Sequence, residues 1–245
     1  MTKTVEEHEW HGHHLIKQVV AFEDDKPIPF LTVLPTDASE PLPCIVALHG
    51  FTARKEDWID LKEGATGGHL TNKLVQSGYA VIAIDLFAHG ENHTDEPVNY
   101  DELSEEGWDT FFAQSLKTIE LIMNSYVQTE LFDQERVGFL SYSVGGLFGF
   151  WLANRQAAFK TMVLCVPPVD KDEDDGYAPY NNLSNVALPT LMIVAEEDEY
   201  IPFADSQWLF EQLPMMDKQL LSYQSGHGLP LDYVPAASAW IKSRL

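Results

Sequence analysis

The sequence predicts an α/β protein with one mostly parallel central sheet, helices on both faces and an antiparallel N-terminal edge. Three observations carry that expectation. Short β-branched apolar runs recur along the chain, helical periodicities lie between most of them, and the first two runs have no helix between them. The runs at 45–48, 80–84, 137–140, 161–166 and 190–194 read as buried strands, with 218–223 as the last strand. The patterns at 68–76, 103–127, 144–155, 203–213 and 235–243 read as helices. A parallel strand pair needs a crossover, so this alternation implies right-handed βαβ units that cover both sheet faces. The runs at 15–22 and 29–34 are joined by the turn-like Glu23-Asp24-Asp25-Lys26-Pro27 and pair antiparallel at one edge.

A chain of 245 residues can bury one substantial core, so a single domain over 1–245 is expected. Segments 52–66 and 91–102 follow strands at the carboxyl edge of the sheet, where open α/β sheets bind ligands, and are read as pocket walls. Segment 167–189 stands where a helix is expected and is read as a short loop or minimal lid; its acidic run at 170–175 would disfavour anionic substrates.

With 38 acidic and 15 basic residues the formal net charge is -23, which repels nucleic-acid backbones and anionic bilayers, so neither is an expected partner. No apolar leader opens the chain and no stretch is long enough to span a bilayer, so a cytoplasmic location is expected. Cys44 and Cys165 lie inside apolar runs and read as buried, reduced thiols. His8, His11, His13 and His14 fit no standard zinc spacing, and Gly145, Gly146 and Gly149 are wrongly spaced for a dinucleotide. No cofactor is expected.

The chemistry concentrates after the strands. Residues 137–142 run directly into Ser143-Val144-Gly145-Gly146 and an apolar helix. A nucleophilic serine at a tight strand-to-helix turn needs small residues two positions to either side, and Ser141 and Gly145 supply them. A helix N-cap serine would share part of this pattern. The strand at 190–194 ends in Ala195-Glu196-Glu197-Asp198-Glu199, with Asp198 best placed as an orienting acid and Glu196, Glu197 and Glu199 read as a solvated acidic turn. The last strand feeds Ser225-Gly226-His227-Gly228, a glycine-flanked imidazole able to take and return a proton. His49-Gly50-Phe51 closes an early strand, and the backbone N–H groups of Phe51 and Val144 are the expected oxyanion donors. His49 itself is read as a packed or turn-stabilising residue.

The ordered motifs LHGF, AIDLFAHGEN, SYSVGG, EEDEYIP and SGHG resemble the α/β-hydrolase superfamily over nearly the whole chain, and within it the compact bacterial esterases and dienelactone-hydrolase-like proteins. Dienelactone hydrolases proper carry cysteine where this chain has Ser143, which favours simple esters over lactones. The resemblance implies that Asp85, His89 and Gly90 shape a loop. It also implies that the acid follows a late strand; some members carry it one strand earlier, where Asp170 and Asp172 lie. Its implied activity is serine hydrolysis of small carboxylic esters through an acyl-enzyme on Ser143, with His227 as base and Asp198 as acid. Peptide, amide or thioester cleavage on the same triad, and ligand sensing with negligible turnover, remain as alternatives.

Overall fold

The computed structural model describes residues 2–21, 27–37, 39, 41–62, 66–92, 104–155, 158–171 and 176–245. Along the chain these form β1 (Thr2–Trp10), β2 (His13–Val20), β3 (Ile28–Leu34), β4 (Leu42–Leu48), α1 (Gly67–Val75), β5 (Ala80–Ile84) and α2 (Glu105–Ile122). Then come β6 (Phe132–Tyr142), α3 (Gly145–Asn154), β7 (Thr161–Cys165), β8 (Thr190–Ala195), α4 (Phe203–Gln212), β9 (Lys218–Tyr223) and α5 (Tyr233–Lys242). The nine strands make one sheet in the order β1-β2-β3-β5-β4-β6-β7-β8-β9. Pairing is antiparallel from β1 through β3 to β5 and parallel from β5 to β9. The architecture is that of an α/β-hydrolase with an antiparallel N-terminal edge, as the motifs implied.

Covered on both faces, β4, β5, β7 and β8 are buried at every position, which is why they read as unbroken apolar runs. Alternate side chains divide between two cores. Val46, Ile82 and Phe139 pack with Ile119 of α2, Phe148 of α3 and Leu209 of α4; Ile45, Val81 and Val163 pack with Leu70 and Leu74 of α1 and Ile241 of α5. Among the described residues no helix is long and apolar enough to cross a membrane. Cys44 and Cys165 are buried free thiols.

Three segments differ from the expectation. The first is β1, whose polar residues face solvent on both sides, so no period-two signal betrays it. It exists through its ladder with β2 and a two-residue turn in which His11 and Gly12 both take positive φ, 49° and 82°. Trp10 Nε1 ties the hairpin tip to the Ile59 carbonyl at 3.0 Å, and His8 and His14 pair with Glu6 and Glu7, each at 3.3 Å.

The second is the segment 52–66, expected as an irregular pocket wall, whose described part holds a short 3₁₀ turn at Lys55–Trp58 with both terminal side chains buried. The third is the helix expected over 103–127, which leaves α geometry after Ile122 and closes in a π turn at Met123–Val127. There Tyr126 is buried beside Phe30 and Phe132, at centroid distances of 5.2 and 5.1 Å. In 167–189 a 3₁₀ turn at Pro179–Asn182 is braced by Asn182, which donates to the Gly176 and Ala178 carbonyls and accepts from Arg155. Residues 23–26 of the expected turn, 63–65 and 93–102 of the two expected walls, and 172–175 of the acidic run lie outside the described residues.

One hydroxyl, that of Thr161, adds a polar tie between α5 and the sheet. Thr161 Oγ1 accepts from Trp240 Nε1 and donates to the Pro189 carbonyl, both at 2.9 Å. Thr161→Val keeps the shape and orphans a buried indole N–H, so it should lower unfolding stability by about 1–3 kcal/mol in urea titration.

Candidate active site

Strand β6 delivers Ser143 into a turn with φ +48, a left-handed conformation that a non-glycine residue rarely adopts. The Ser143 N–H extends the sheet by donating to the Cys165 carbonyl at 2.8 Å, while its own carbonyl accepts from Gly146 at 2.7 Å and opens α3. Close neighbours force small residues here. A Cβ on Gly145 would lie 2.9 Å from the carbonyl oxygens of Leu48 and His49, and one on Gly50 would lie 3.1 Å from Ser143 Cβ. The chain leaving β4 therefore passes directly against the serine. Ser141 is fully buried in the sheet, whereas Ser143 is partly exposed. Thr52, Ala88 and Val166 also hold positive φ, so four strained positions stand just past the carboxyl ends of the adjacent strands β4, β5, β6 and β7. Such strain clusters at functional sites.

On the same sheet edge, the loop after β9 carries His227 and the loop after β8 carries Asp198. Their Nδ1 and Oδ2 atoms are 2.9 Å apart, and the Asp198 side chain is 2% exposed. A carboxylate only accepts, so Nδ1 holds the proton and Nε2 is the basic nitrogen. The second carboxylate oxygen accepts from the backbone of Tyr200 at 2.9 Å and Ile201 at 3.1 Å, which fixes the acid. Asp198 is thus the carboxylate at the imidazole; Asp170 is exposed after β7, and Asp172 lies outside the described residues. The Tyr200 ring stands edge-on to His227, with centroids 5.1 Å apart.

The model of the dienelactone hydrolase family matches residues 31–238, a span that holds Ser143, Asp198 and His227. The chain belongs to that family. It is therefore a hydrolytic enzyme of the α/β-hydrolase superfamily. Among solved structures it is similar to an S-formylglutathione hydrolase from Agrobacterium tumefaciens, with 18% identity, a TM-score of 0.75 and 99% of each chain covered. It is also similar to acetyl xylan esterase 1 from a Thermoanaerobacterium species, at 15% identity and TM-score 0.77, over 99% of this chain and 87% of that one. A cold-adapted esterase from an Arctic intertidal metagenomic library aligns at 17% identity and TM-score 0.71, over 98% and 97% of the two chains. No curated protein sequence matches the chain significantly.

In this dienelactone hydrolase family member His49 does more than fill space. Its Nδ1 donates to the Gly50 carbonyl at 2.7 Å and its Nε2 accepts from the Leu86 N–H at 3.1 Å, which fixes the tautomer. A peptide is planar, so pinning the Gly50 carbonyl aims the Phe51 N–H the opposite way. The Val144 N–H lies at the N-terminus of α3, where amides lack intrahelical acceptors and the helix dipole favours negative charge. Burial pushes the His49 pKa down to about 4, against partial support from the Gly50 carbonyl, so the ring stays neutral. The Phe51 side chain packs edge-on to Trp108 at 5.5 Å and stacks on Phe111 at 5.9 Å.

Behind His49 lies a buried ion pair that the sequence did not announce. Lys55 and Asp85 have fully buried side chains, joined by Nζ to Oδ2 at 2.7 Å and by the Lys55 N–H to Oδ1 at 2.7 Å. Burial alone would depress the Lys55 ammonium, but the Asp85 charge and bonds to Asp85, Glu91 and Glu56 outweigh it and raise the pKa. Glu91 is shared with Lys17 of β2 at 2.7 Å. Gly90, expected to shape this loop, does so by absence: a Cβ there would sit 2.3 Å from Asp85 Oδ2.

Two outcomes follow from these buried groups. Lys55→Met leaves a buried carboxylate without its partner and should cost about 3–5 kcal/mol in denaturant unfolding. His49 titrates near 6.5 when unfolded and near 4 when folded, so below pH 6.5 only the unfolded chain takes up the proton. Its contribution is complete above 6.5 and declines as pH falls toward 4. His49→Asn keeps a donor for Gly50 and removes that titration. The stability gap between parent and variant should therefore narrow, by something on the order of 3 kcal/mol over the whole window; a gap independent of pH would contradict the buried neutral ring.

Proposed function

We propose that the protein is a serine carboxylesterase that cleaves small esters through an acyl-enzyme on Ser143. The observation that carries this reading is the bracing of base against nucleophile by neighbouring residues. Tyr142, adjacent to Ser143, donates its hydroxyl to the His227 carbonyl at 2.6 Å and accepts from the Leu229 N–H at 2.9 Å. Burial pushes the Tyr142 phenol well above its ordinary pKa, so it remains a donor.

The chemistry is acyl transfer in two steps. His227 Nε2 takes the Ser143 Oγ proton as the oxygen attacks the ester carbonyl, and the oxyanion is stabilised by the N–H groups of Phe51 and Val144. The imidazolium, held by Asp198, gives its proton to the departing alcohol. Water then repeats the sequence on the acyl-enzyme and frees Ser143. Support for a small acyl group comes from the aromatic wall of Phe51, Trp108 and Phe111 beside the oxyanion loop, and from neighbours whose names specify formyl and acetyl groups.

Hydrolysis of a p-nitrophenyl ester series tests this directly. Ser143→Ala should abolish turnover and fluorophosphonate labelling, and Asp198→Asn should lower kcat by about 10⁴. Acetate should exceed octanoate in kcat/KM, and Trp108→Ala should shift the optimum toward longer chains. Binding without turnover in the parent enzyme would instead identify a sensor.

A further inference from the structure

The acidic turn after β8 contains four carboxylates besides the backbone groups that cap it, and only Asp198 touches the imidazole. Glu199, the next residue, points elsewhere and makes a contact that the reaction scheme does not use. Its Oε2 accepts the backbone N–H of His227 at 2.9 Å. The His227 amide holds the Glu199 carboxyl below the usual glutamate range. The contact depends on a gap one residue before the histidine. A Cβ on Gly226 would lie 2.4 Å from Glu199 Oε1 and 3.0 Å from Cδ and Oε2, so any side chain there would expel the carboxylate.

We propose that Glu199 is a positioning residue for His227: its carboxylate holds the histidine main chain through the His227 N–H, in a space that Gly226 keeps open. Consecutive residues thus hold the histidine at separate points, Asp198 at Nδ1 and Glu199 at the backbone N–H, with Tyr142 on the carbonyl as the third. The flanking Gly226 and Gly228 give the loop little stiffness of its own, so the orientation of the imidazole has to be supplied by contacts from outside it. Since Glu199 is exposed and bonds only main chain here, its loss removes orientation without opening the core. The inference rests on His227 being the base in the proposed reaction.

The test is a double-mutant cycle on p-nitrophenyl acetate hydrolysis. Glu199→Ala and Gly226→Ala should each lower kcat by about tenfold, less than the ~10²-fold that gross misplacement of a reacting group costs, with KM and the thermal unfolding midpoint little changed. Because both remove the same contact, the double variant should be no slower than the slower single. Glu199→Gln should restore most of kcat, since its amide oxygen accepts the same N–H. Full kcat in Glu199→Ala, or losses that multiply in the double variant, would overturn the proposal. His227→Ala separates the two roles: if it abolishes turnover while Glu199→Ala keeps full kcat, only the positioning role falls, and if it retains turnover both fall.

Discussion

Ser143 is held at φ +48 because its two peptide groups answer to different elements, the N–H to β7 and the carbonyl to α3. That divided allegiance costs about 1–3 kcal/mol of backbone strain, and only a surrounding structure that over-determines the turn can maintain it. The over-determination is visible in the packing. The β4 carbonyls close on Gly145, the β4 exit passes against the serine Cβ, and Pro167 would meet any side chain on Gly146 at 2.7 Å. Two loops at the carboxyl edge flank this fixed turn, that of His49–Phe51 after β4 and that of His227 after β9.

Polar groups at the two sides are handled differently. Beside the His49–Phe51 turn lie a buried, neutral His49 whose tautomer is set by its bonds and a Lys55–Asp85 pair sealed from water. On the imidazole side the Asp198 side chain is buried, while His227 remains partly open. The difference suits the chemistry. A backbone donor must stay rigid to stabilise charge as it develops, whereas a base that shuttles a proton needs access and reorientation.

Legibility in the sequence followed the strength of local rules. The tight turn at Ser143 was readable because it admits only small neighbours, and the loop carrying His227 because glycines flank the histidine after the last strand. The parallel core was readable because strands buried on both faces leave unbroken apolar runs. Lys55 was not, since a lysine in a polar segment looks solvated and its partner Asp85 comes from another strand. Glu199 was hidden by the acidity of the chain, in which one more glutamate carries no signal. The strand β1 was hidden because it has no buried face to impose a period. The Lys55 and Glu199 contacts reach partners 30 and 28 residues away, beyond any local rule.

The chain of charges from Lys17 through Glu91 and Lys55 to Asp85 has two partly exposed members at its outer end and two sealed ones at its inner end. The Lys17 and Glu91 side chains are 24% and 43% exposed, while Lys55 and Asp85 are sealed. Dissolved ions screen the outer links and barely reach the inner one. Raising ionic strength would therefore fray this array from its outer end, loosening β2 from the loop that carries Glu91 while the Lys55–Asp85 contact persists. A saline medium thus acts on the outer links of this array and leaves the Lys55–Asp85 pair nearly unscreened.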